Sequence, residues 1–456
     1  MSYGFAGQAF ASSHVERRGH AIARGERGPS IQSHSTRKDR ANLQRGGGGR
    51  ILTACFTLIA SLFAGEVAHS QTALTLHDAI QQAETGSLAH QGQDQVDAAR
   101  GFARQANLRP NPRLYIQSED LRPWANNFDF ANGTEDYGYL SQTFEMDGKR
   151  AKRVDLANAN IRRSQAEQEL HEQQIAGRVA SAYWAAVASA RIVKLLEDDL
   201  GAVDEMVRYH KERVDAGALR GADLLRMQIE RDRLMISLEG ARRDMTLARI
   251  ELFRQMDRPL DPQVQLADPI DNLAPIESQT MATVLASRAD VAAAQEAVTA
   301  AQAEIKLQKA LGVPDLDLLG GYKRNSGANT LYAGVQIPLP FSNRNQGEVQ
   351  RAQANLHLAQ DQLQQVEMSV RADVTSAEEG YSRQREIVEH VLPDMRSRAQ
   401  QNLAIMNDAF KTGGIDLLRY IDAERTAIDV EVSALRSLAD FQQSALRLTL
   451  SYGARP

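Results

Sequence analysis

The chain has very little cysteine, few aromatic side chains and only a mild excess of charge. Of its 456 residues, one is cysteine and 5% are aromatic, and the formal net charge is −5. A single cysteine excludes a disulfide within the chain, the low aromatic content disfavours a thick globular core, and the mild charge gives no sign of a nucleic-acid partner. No Gly-x-Ser-x-Gly motif, phosphate loop or cofactor fingerprint occurs. The sequence therefore predicts neither an enzyme nor a bound cofactor.

Proline is absent from the long stretch Arg150–Asp215, and glycine occurs in it only at Gly177 and Gly201. Small and apolar residues recur there at alternating intervals of four and three, which is the seam of a coiled coil. The seam residues are Ile175, Val179, Ala182, Ala186, Ser189, Val193, Leu196, Leu200, Val203 and Val207. One helix of this length is about 100 Å long, too long for a globular domain, and its many charged residues disfavour a membrane span. We expect it to stand in water, packed lengthwise against similar helices.

Residues 1–50 and 51–70 differ sharply in composition. Residues 1–50 are rich in Gly, Ser and Arg and lack periodicity, which predicts a disordered extension; a basic arm that binds nucleic acid is the alternative. The apolar run Ile51–Ala64 follows arginines and precedes a small-x-small triplet ending at Ser70, which predicts a secretory signal peptide over 51–70 rather than a buried helix. A lipoprotein-like box ends at Cys55, but the apolar segment follows this box instead of preceding it. The exported chain would then carry no cysteine.

The rest of the chain repeats one order of elements twice. Both halves, 71–275 and 276–456, show a short helix, a longer helix, a β-hairpin, a long helix and a last helix. In the first half the predicted elements are hairpin 113–146, long helix 150–215 and helix 223–256, followed by a proline-rich connector; in the second they are hairpin 315–339, long helix 345–411 and helix 416–450. Asp-Leu-Leu-Arg follows the end of both long helices, at Asp223 and at Asp416. This coincidence is improbable by chance and predicts an internal duplication.

The four predicted strands are short and two-sided. In the run Thr330–Leu339 the odd-numbered residues are all apolar, whereas the even-numbered ones are Thr, Tyr, Gly, Gln and Pro. Strands of about ten residues with one apolar face are typical of outer-membrane barrels, although half-buried strands of a soluble sheet look the same. In lipid a sheet must close on itself, and known barrels have about eight strands or more. Four strands cannot close alone, so the sequence predicts several copies sharing one barrel.

The stretch from Leu74 to Gly453 resembles the TolC-type outer-membrane efflux proteins. The resemblance rests on Ser141–Arg150 (Ser-Gln-Thr-Phe-Glu-Met-Asp-Gly-Lys-Arg), on Gln336–Asn345 (Gln-Ile-Pro-Leu-Pro-Phe-Ser-Asn-Arg-Asn) and on the two glycine breaks before Asp-Leu-Leu. The first two stretches are most similar to the branch that exports cobalt, zinc and cadmium. The resemblance implies a mainly α fold with a small β part. Long antiparallel coiled-coil helices of a homotrimer would form an α-barrel, capped in the outer-membrane lipid by a 12-stranded β-barrel with four strands per protomer.

The resemblance also implies partners and a gate. A periplasmic adaptor, and through it a proton-driven inner-membrane pump of RND type, would dock at the periplasmic end. The docking tips would be Gly217, Ala218, Leu219, Arg220, Gly221, Gly413 and Gly414. Asp422 matches the second of two acidic residues that ring the narrowest point in the family, whereas Arg419 replaces the first. Phe410 and Ile415 stand where a tyrosine and an arginine tie the gate shut in other members, so that lock would be absent or built from other residues.

Histidines are the obvious candidates for metal ligands in a metal exporter. They are scattered, at His77, His90, His171, His210, His357 and His390, without the clustering that a metal site needs. The simplest interpretation is exposed helix histidines, which predicts no metal site and a passive conduit. Arg419 and Asp422 are three residues apart on one helix, and a simple ion pair between them is the alternative to a gate. Two other functions stay open: the same duct exporting drugs or polypeptides by type I secretion, and a soluble periplasmic coiled-coil scaffold whose hairpins lie outside lipid.

Overall fold

The computed structural model describes residues 73–325 and 327–456; the predicted extension 1–50 and signal peptide 51–70 lie outside these ranges. The helices are α1 (Leu76–Glu84), α2 (Ser87–Ala106), α3 (Phe130–Gly133), α4 (Lys149–Asp215), α5 (Gly221–Gln255), α6 (Met281–Ser287), α7 (Ala289–Leu311), α8 (Gln346–Glu386), α9 (Leu392–Lys411) and α10 (Leu417–Ser451). The strands are β1 (Ala73–Leu74), β2 (Arg113–Glu119), β3 (Glu135–Phe144), β4 (Gln265–Leu266), β5 (Leu316–Asn325) and β6 (Ala328–Gln336). The mainly helical class predicted from the sequence is confirmed.

Helix α4 runs through 67 residues without a break. Its predicted seam is confirmed, because the seam residues are buried or half-buried; Ile175 and Val179 are 1% and 0% exposed. One window of α4 is apolar and long enough to cross a membrane, but 56% of that window is buried inside the protein. Neighbouring helices cover this window, so α4 is a core helix of the bundle.

The sequence predicted one long helix over 345–411. In the structure this helix contains an irregular turn. A π-helical turn, Ile387–Val391, separates α8 from α9. In this turn the N–H of Leu392 donates to the carbonyl oxygen of Ile387, five residues earlier. Pro393 follows directly and has no N–H to continue the ladder of α-helical hydrogen bonds. The wider turn absorbs the missing donor, so the helix passes the proline without ending.

The long helices pack lengthwise against shorter ones. Near the strands α4 packs against α2 and α7, and Arg162 Nε lies 3.0 Å from Glu296 Oε2 of α7. Further along, α4 packs against α5 and α10, and Arg242 of α5 lies 2.8 Å from Glu197. The second long helix repeats this arrangement, with α8 on α7 and α9 on α10. Exposed ion pairs contribute little stability individually, so the buried apolar seams hold the bundle together.

The main hydrophobic core surrounds the middle of α4 and the carboxyl-terminal parts of α5 and α10. Tyr183 of α4 is fully buried there, and its hydroxyl donates to the carbonyl oxygen of Leu74 (2.9 Å) and accepts from the N–H of Asp268 (3.2 Å). The amide of Gln442 on α10 donates to the carbonyl oxygen of Ile270 (2.9 Å). These bonds hold the irregular connector after α5 against α4 and α10.

The Tyr183 hydroxyl provides a test of this fastening. Tyr183→Phe is expected to lower the free energy of unfolding by about 1–2 kcal/mol. The half-buried N–H of Asp268 loses its bond to the hydroxyl, whereas the carbonyl oxygen of Leu74 keeps its bond from the N–H of Ala267. Tyr209→Phe is the matched control, since the Tyr209 side chain is 51% exposed. Denaturant unfolding of the detergent-solubilised proteins gives the comparison. A Tyr183→Phe protein as stable as the control would show that the hydroxyl adds nothing to the core.

The four main strands form one antiparallel sheet in the order β2-β3-β5-β6. Strands β3 and β5 pair along their whole length, from Glu135 opposite Asn325 to Phe144 opposite Leu316. The sequence predicted each hairpin but not that the two hairpins pair with each other, because strands so far apart in sequence leave no local signal. The short parallel pair of β1 and β4 was not predicted either.

The register gives the sheet two chemically different faces. Its apolar face carries Leu114, Ile116, Leu140, Phe144, Leu318, Tyr322, Leu331 and Val335, all exposed. Its polar face carries Arg113, Gln117, Glu119, Glu135, Tyr137, Thr143, Asp317, Lys323, Asn325 and Gln336. The alternation predicted for residues 330–339 is confirmed for 330–336, where β6 ends three residues earlier than predicted. Within the described residues, β2 and β6 each have a neighbour on one side only.

Candidate gate and docking end

Both long helices end, away from the strands, in the same glycine turn. Gly217 and Gly413 have φ values of +74° and +75°, in the left-handed region that glycine enters without strain. The N–H of Gly217 donates to the carbonyl oxygen of Val214 (2.9 Å), and the next N–H donates to Arg213 (2.8 Å). Gly413 and Gly414 make the matching bonds at the end of α9, 3.0 and 2.8 Å long. These are two Schellman motifs, and they end both helices sharply.

The two Asp-Leu-Leu-Arg segments occupy slightly different positions in their helices. Asp416 caps α10, and its Oδ1 accepts a hydrogen bond from the N–H of Arg419 (3.2 Å). Asp223 instead lies inside the first turn of α5, which begins at Gly221. The predicted start of this helix at residue 223 was therefore late by two residues, a usual margin for helix ends.

Behind the turns lies a small apolar cluster, which we call the tip cluster. Its buried members are Met227, Leu417, Tyr420 and Ile421, and Met206, Val207, Leu403, Phe410 and Ile415 pack against them. The cluster thus joins α4 and α5 to α9 and α10. Phe410 and Ile415, which the resemblance placed at the gate lock, both lie in this apolar environment.

A buried histidine, His210, lies next to the tip cluster. The ring of His210 is stacked on Phe410, with centroids 6.0 Å apart, and Phe410 is stacked on Tyr420 at 5.2 Å. His210 is only 2% exposed, and its Nδ1 lies 2.9 Å from the carbonyl oxygen of Met206. We call His210, Phe410 and Tyr420 the aromatic stack. The expectation of an exposed helix histidine was wrong for His210, which occupies the next seam position after Val207.

The two remaining gate candidates are on the surface. Arg419 and Asp422 are both exposed, and they form no ion pair with each other. The neighbouring Arg425 instead pairs with Glu230 of α5 (2.5 Å). The simple ion pair that the sequence had left open as an alternative is absent.

Sequence reasoning missed a pair of half-buried carboxyl groups close to the tip cluster. Burial raises the pKa of Glu424 to about 7, with further contributions from Asp199 and then Glu230. Burial, and then the charge of Asp198, raises the pKa of Asp199 to about 6. Among the described residues, Asp199 Oδ2 is the buried side-chain oxygen without a hydrogen-bond partner. Glu424 sits seven residues after Leu417, on the buried stripe of α10, and this spacing was the signal available in the sequence.

These carboxyl groups predict a pH-dependent stability. Their pKa values in the folded protein exceed the ordinary 3.8 and 4.5, so the folded protein binds more protons than the unfolded chain. The free energy of unfolding should therefore fall as pH rises from about 4 through about 7. Glu424→Gln should remove much of this slope, whereas Glu205→Gln, at a side chain 78% exposed, should not. Thermal unfolding at pH 5 and pH 8 measures the difference, and equal slopes in all three proteins would contradict the assignment.

Metal ligands do not converge in the part of the chain that the structure describes. No group of three or more His, Cys, Asp or Glu residues is placed there to hold an ion. Four of the histidines, His77, His90, His357 and His390, are exposed on their helices.

Long helices that end in matching glycine turns and carry a sheet with an exposed apolar face define a helical protein that enters a membrane through its strands. The chain belongs to the outer membrane efflux protein family, whose model matches residues 75–256 and 281–454. It is therefore an outer-membrane efflux channel component with its helical part on the periplasmic side. This membership removes the alternative of a soluble periplasmic scaffold. The relatives are named as metal-resistance proteins, outer-membrane proteins or channels, and none of these names is that of an enzyme.

Two curated relatives come from Cupriavidus metallidurans. The cobalt-zinc-cadmium resistance protein CzcC is 24% identical over 357 residues, which cover 77% of this chain and 83% of that protein. The nickel and cobalt resistance protein CnrC is 23% identical over 287 residues, which cover 62% of this chain and 67% of that protein.

Solved structures share the fold. CusC superimposes with a TM-score of 0.70 at 18% identity, over 83% of this chain and 92% of that one. VceC from Vibrio cholerae gives 0.68 at 19% identity, over 83% and 96%. The open state of MtrE from Neisseria gonorrhoeae gives 0.69 at 19% identity, over 83% and 89%.

Proposed function

We propose that three copies of this chain form one duct, with a 12-stranded barrel in the outer membrane and a helical tunnel in the periplasm. The four-stranded sheet carries the proposal. Its apolar face is exposed, and its edge strands β2 and β6 would leave unpaired backbone groups in lipid unless other copies extended the sheet. Three copies supply twelve strands, an even number within the range of known barrels.

We infer that the two halves of the chain, 71–275 and 276–456, are structural repeats. In the first half, α4 packs against α2 near the strands and against α5 near the glycine turn. In the second half, α8 packs against α7, and α9 against α10. The matching Schellman motifs at Gly217 and Gly413 support the same correspondence.

The glycine turns are the proposed docking tips for a periplasmic adaptor, which would connect the duct to an inner-membrane pump of RND type. Gly217, Ala218, Arg220, Gly221, Gly413 and Gly414 are exposed, and Leu219 is half-buried. Beside them lie Leu225 and Leu418, the second leucines of the two Asp-Leu-Leu-Arg segments, and they expose 62% and 56% of their surface. Exposed leucines next to accessible turns suit an apolar contact with a partner helix.

The gate is proposed to lie at the same end. The aromatic stack links α4 to α9 and α10, and so performs the role of the missing hydrogen-bonded lock at Phe410 and Ile415. Asp422 and Arg419 are exposed on α10, where Asp422 would face the narrow opening as a single acidic ring. Opening then requires the α9–α10 pair to move away from the α4–α5 pair.

Heavy-metal cations are the proposed cargo. CzcC and CnrC, which this chain matches over most of their length, are named as resistance proteins against cobalt, zinc and cadmium and against nickel and cobalt. Selection of the metal would rest with the pump, because the described part of the chain gathers no ligand set of its own. The same duct serving drugs or polypeptides is the second candidate.

A deletion strain separates the candidates. It is expected to tolerate lower concentrations of cobalt, zinc or cadmium, with unchanged tolerance of drugs, and to recover when the chain is supplied again. Co-purification from detergent-solubilised membranes should bring down the adaptor and its pump. Unchanged metal tolerance together with lost drug tolerance would show that the duct exports drugs instead of metal cations.

A further inference from the structure

Three tyrosines of the sheet stand in a single cross-strand row. Tyr115 of β2 is opposite Tyr139 of β3, which is opposite Gly321 of β5, which is opposite Tyr332 of β6. The rings of Tyr115 and Tyr139 are stacked, 4.8 Å apart and 1° from parallel. Tyr332 meets Tyr139 edge-on, with centroids 5.9 Å apart across the glycine. The row is therefore a continuous line of aromatic rings across the full width of the sheet.

Gly321 is the residue that makes the row continuous. A Cβ at this position would clash with the Cβ of Tyr139 and with the carbonyl oxygen of Gly138. A glycine inside a strand marks the close approach of a neighbouring group, and here that group is an aromatic side chain. The rings of Tyr139 and Tyr332 can meet because β5 contributes no side chain between them.

The row lies on the polar face of the sheet. One rung toward the hairpin tips, Lys323 Nζ lies 2.8 Å from Glu135 and 4.8 Å from the ring centre of Tyr137. The opposite face carries the exposed apolar side chains, among them Tyr322 next to Gly321. In a barrel with its apolar face in lipid, the three tyrosines therefore face the lumen.

The size of the rings matters at this barrel diameter. A closed 12-stranded barrel with strands about 4.8 Å apart and tilted by about 40° has a backbone diameter of roughly 24 Å. A tyrosine hydroxyl lies about 6.5 Å from its Cα, so rings that project inward from all sides leave an opening of roughly 10 Å. Alanines at the same positions leave roughly 20 Å. Because the strands tilt, the row climbs within each copy and makes a staggered collar rather than a flat ring.

We propose that Tyr115, Tyr139 and Tyr332 of three copies form an aromatic belt in the barrel, which limits the size of the solutes that pass between the tunnel and the outside. The belt rests on the trimeric barrel proposed above, and it is separate from the gate at the far end of the helices. It admits hydrated metal ions and other small solutes and holds back bulky ones. The stacked rings restrain one another, so the belt is a fixed filter rather than a moving gate.

A reporter below the belt tests the proposal in intact cells. Ser141 lies on the same face as Tyr139, two residues closer to the helices, and Cys55 is the only cysteine of the chain and precedes the described residues. Ser141→Cys is labelled from outside with two reagents. One is a methanethiosulfonate carrying a trimethylammonium group, about 6 Å across, and the other is a rigid sulfonated rhodamine maleimide, about 14 Å across.

The small reagent is expected to label Ser141→Cys, and the dye to label it slowly. Adding Tyr139→Ala and Tyr332→Ala should speed dye labelling about tenfold, because only the Tyr115 ring of each copy then narrows the opening, and leave the small reagent unaffected. Tyr139→Phe should still hold back the dye, because the ring is kept. Tyr322→Ala is the matched control on the apolar face and should change neither rate. The single variant Tyr332→Ala on edge strand β6 gives the same comparison if the double variant does not assemble.

The outcomes separate the belt from the barrel. Slow dye labelling in the alanine variants, with the small reagent still reacting and the trimer intact, overturns the belt and leaves the proposed function standing. Failure of the small reagent to reach Ser141→Cys in otherwise unmodified protein overturns the lumen-facing assignment, and with it the barrel on which the belt rests.

Discussion

Gly413→Pro is expected to abolish export while the protein still assembles in the outer membrane. Gly413 has a φ of +75°, whereas the proline ring fixes φ near −65°. The substitution also removes the N–H that donates to the carbonyl oxygen of Phe410 (3.0 Å). The turn must therefore rearrange, which displaces the proposed docking tip. The sheet lies at the opposite end of α8 and α9, roughly 100 Å away, so assembly should not depend on this turn.

Growth of a deletion strain on toxic metal, complemented by each variant, measures export. Gly217→Pro should fail in the same way, because its φ of +74° and its hydrogen bonds match those of Gly413. Gly413→Asn is the matched control, since asparagine tolerates the left-handed conformation. Trimer content in membranes has to be equal in all strains. Full export with either proline variant would show that the turn is not part of the docking contact.

The parts of the fold that repeat along the sequence could be predicted from it. The alternating spacing from Ile175 to Val207 predicted which face of α4 is buried, because a helix brings residues three and four apart to one side. The glycine breaks were found for a similar reason, since only a few residues end a helix in the left-handed conformation. Both are local rules, and they hold whatever the rest of the chain does.

Other features depend on groups that meet only after folding. The pairing of β3 with β5 joins segments that are far apart in the chain, and nothing inside either strand specifies it. The aromatic stack is a similar case, because His210 and Phe410 come from helices in different halves. The seam spacing does place His210 at a buried position, but the rule was applied to apolar residues only. The position of His210 in the seam therefore predicts its burial better than its polar residue type does.

Phe410→Ala is expected to make the resting channel leak. Phe410 lies between His210 and Tyr420, and both of its neighbours lose their stacking partner when the ring is removed. Fully buried phenylalanines contribute about 3–5 kcal/mol, so roughly 2 kcal/mol is a fair value for this half-buried ring. If the stack exists only in the closed state, a loss of about 2 kcal/mol makes opening roughly thirtyfold more frequent. Purified protein in planar bilayers should then show more frequent openings than the parent protein.

The matched variant for this ring is Phe410→Tyr, which keeps the aromatic face and should keep the channel closed. His210→Ala removes the other side of the stack and should leak as Phe410→Ala does, because α4 then loses its stacking contact with Phe410 of α9. His210→Phe keeps a ring in that place and should restore closure, which separates stacking from the polar chemistry of histidine. Equal leakage in all four proteins and the parent would mean that the stack only stabilises the tip. The narrow opening would then be closed by contacts between copies, and the exposed Asp422 would be the next residue to change.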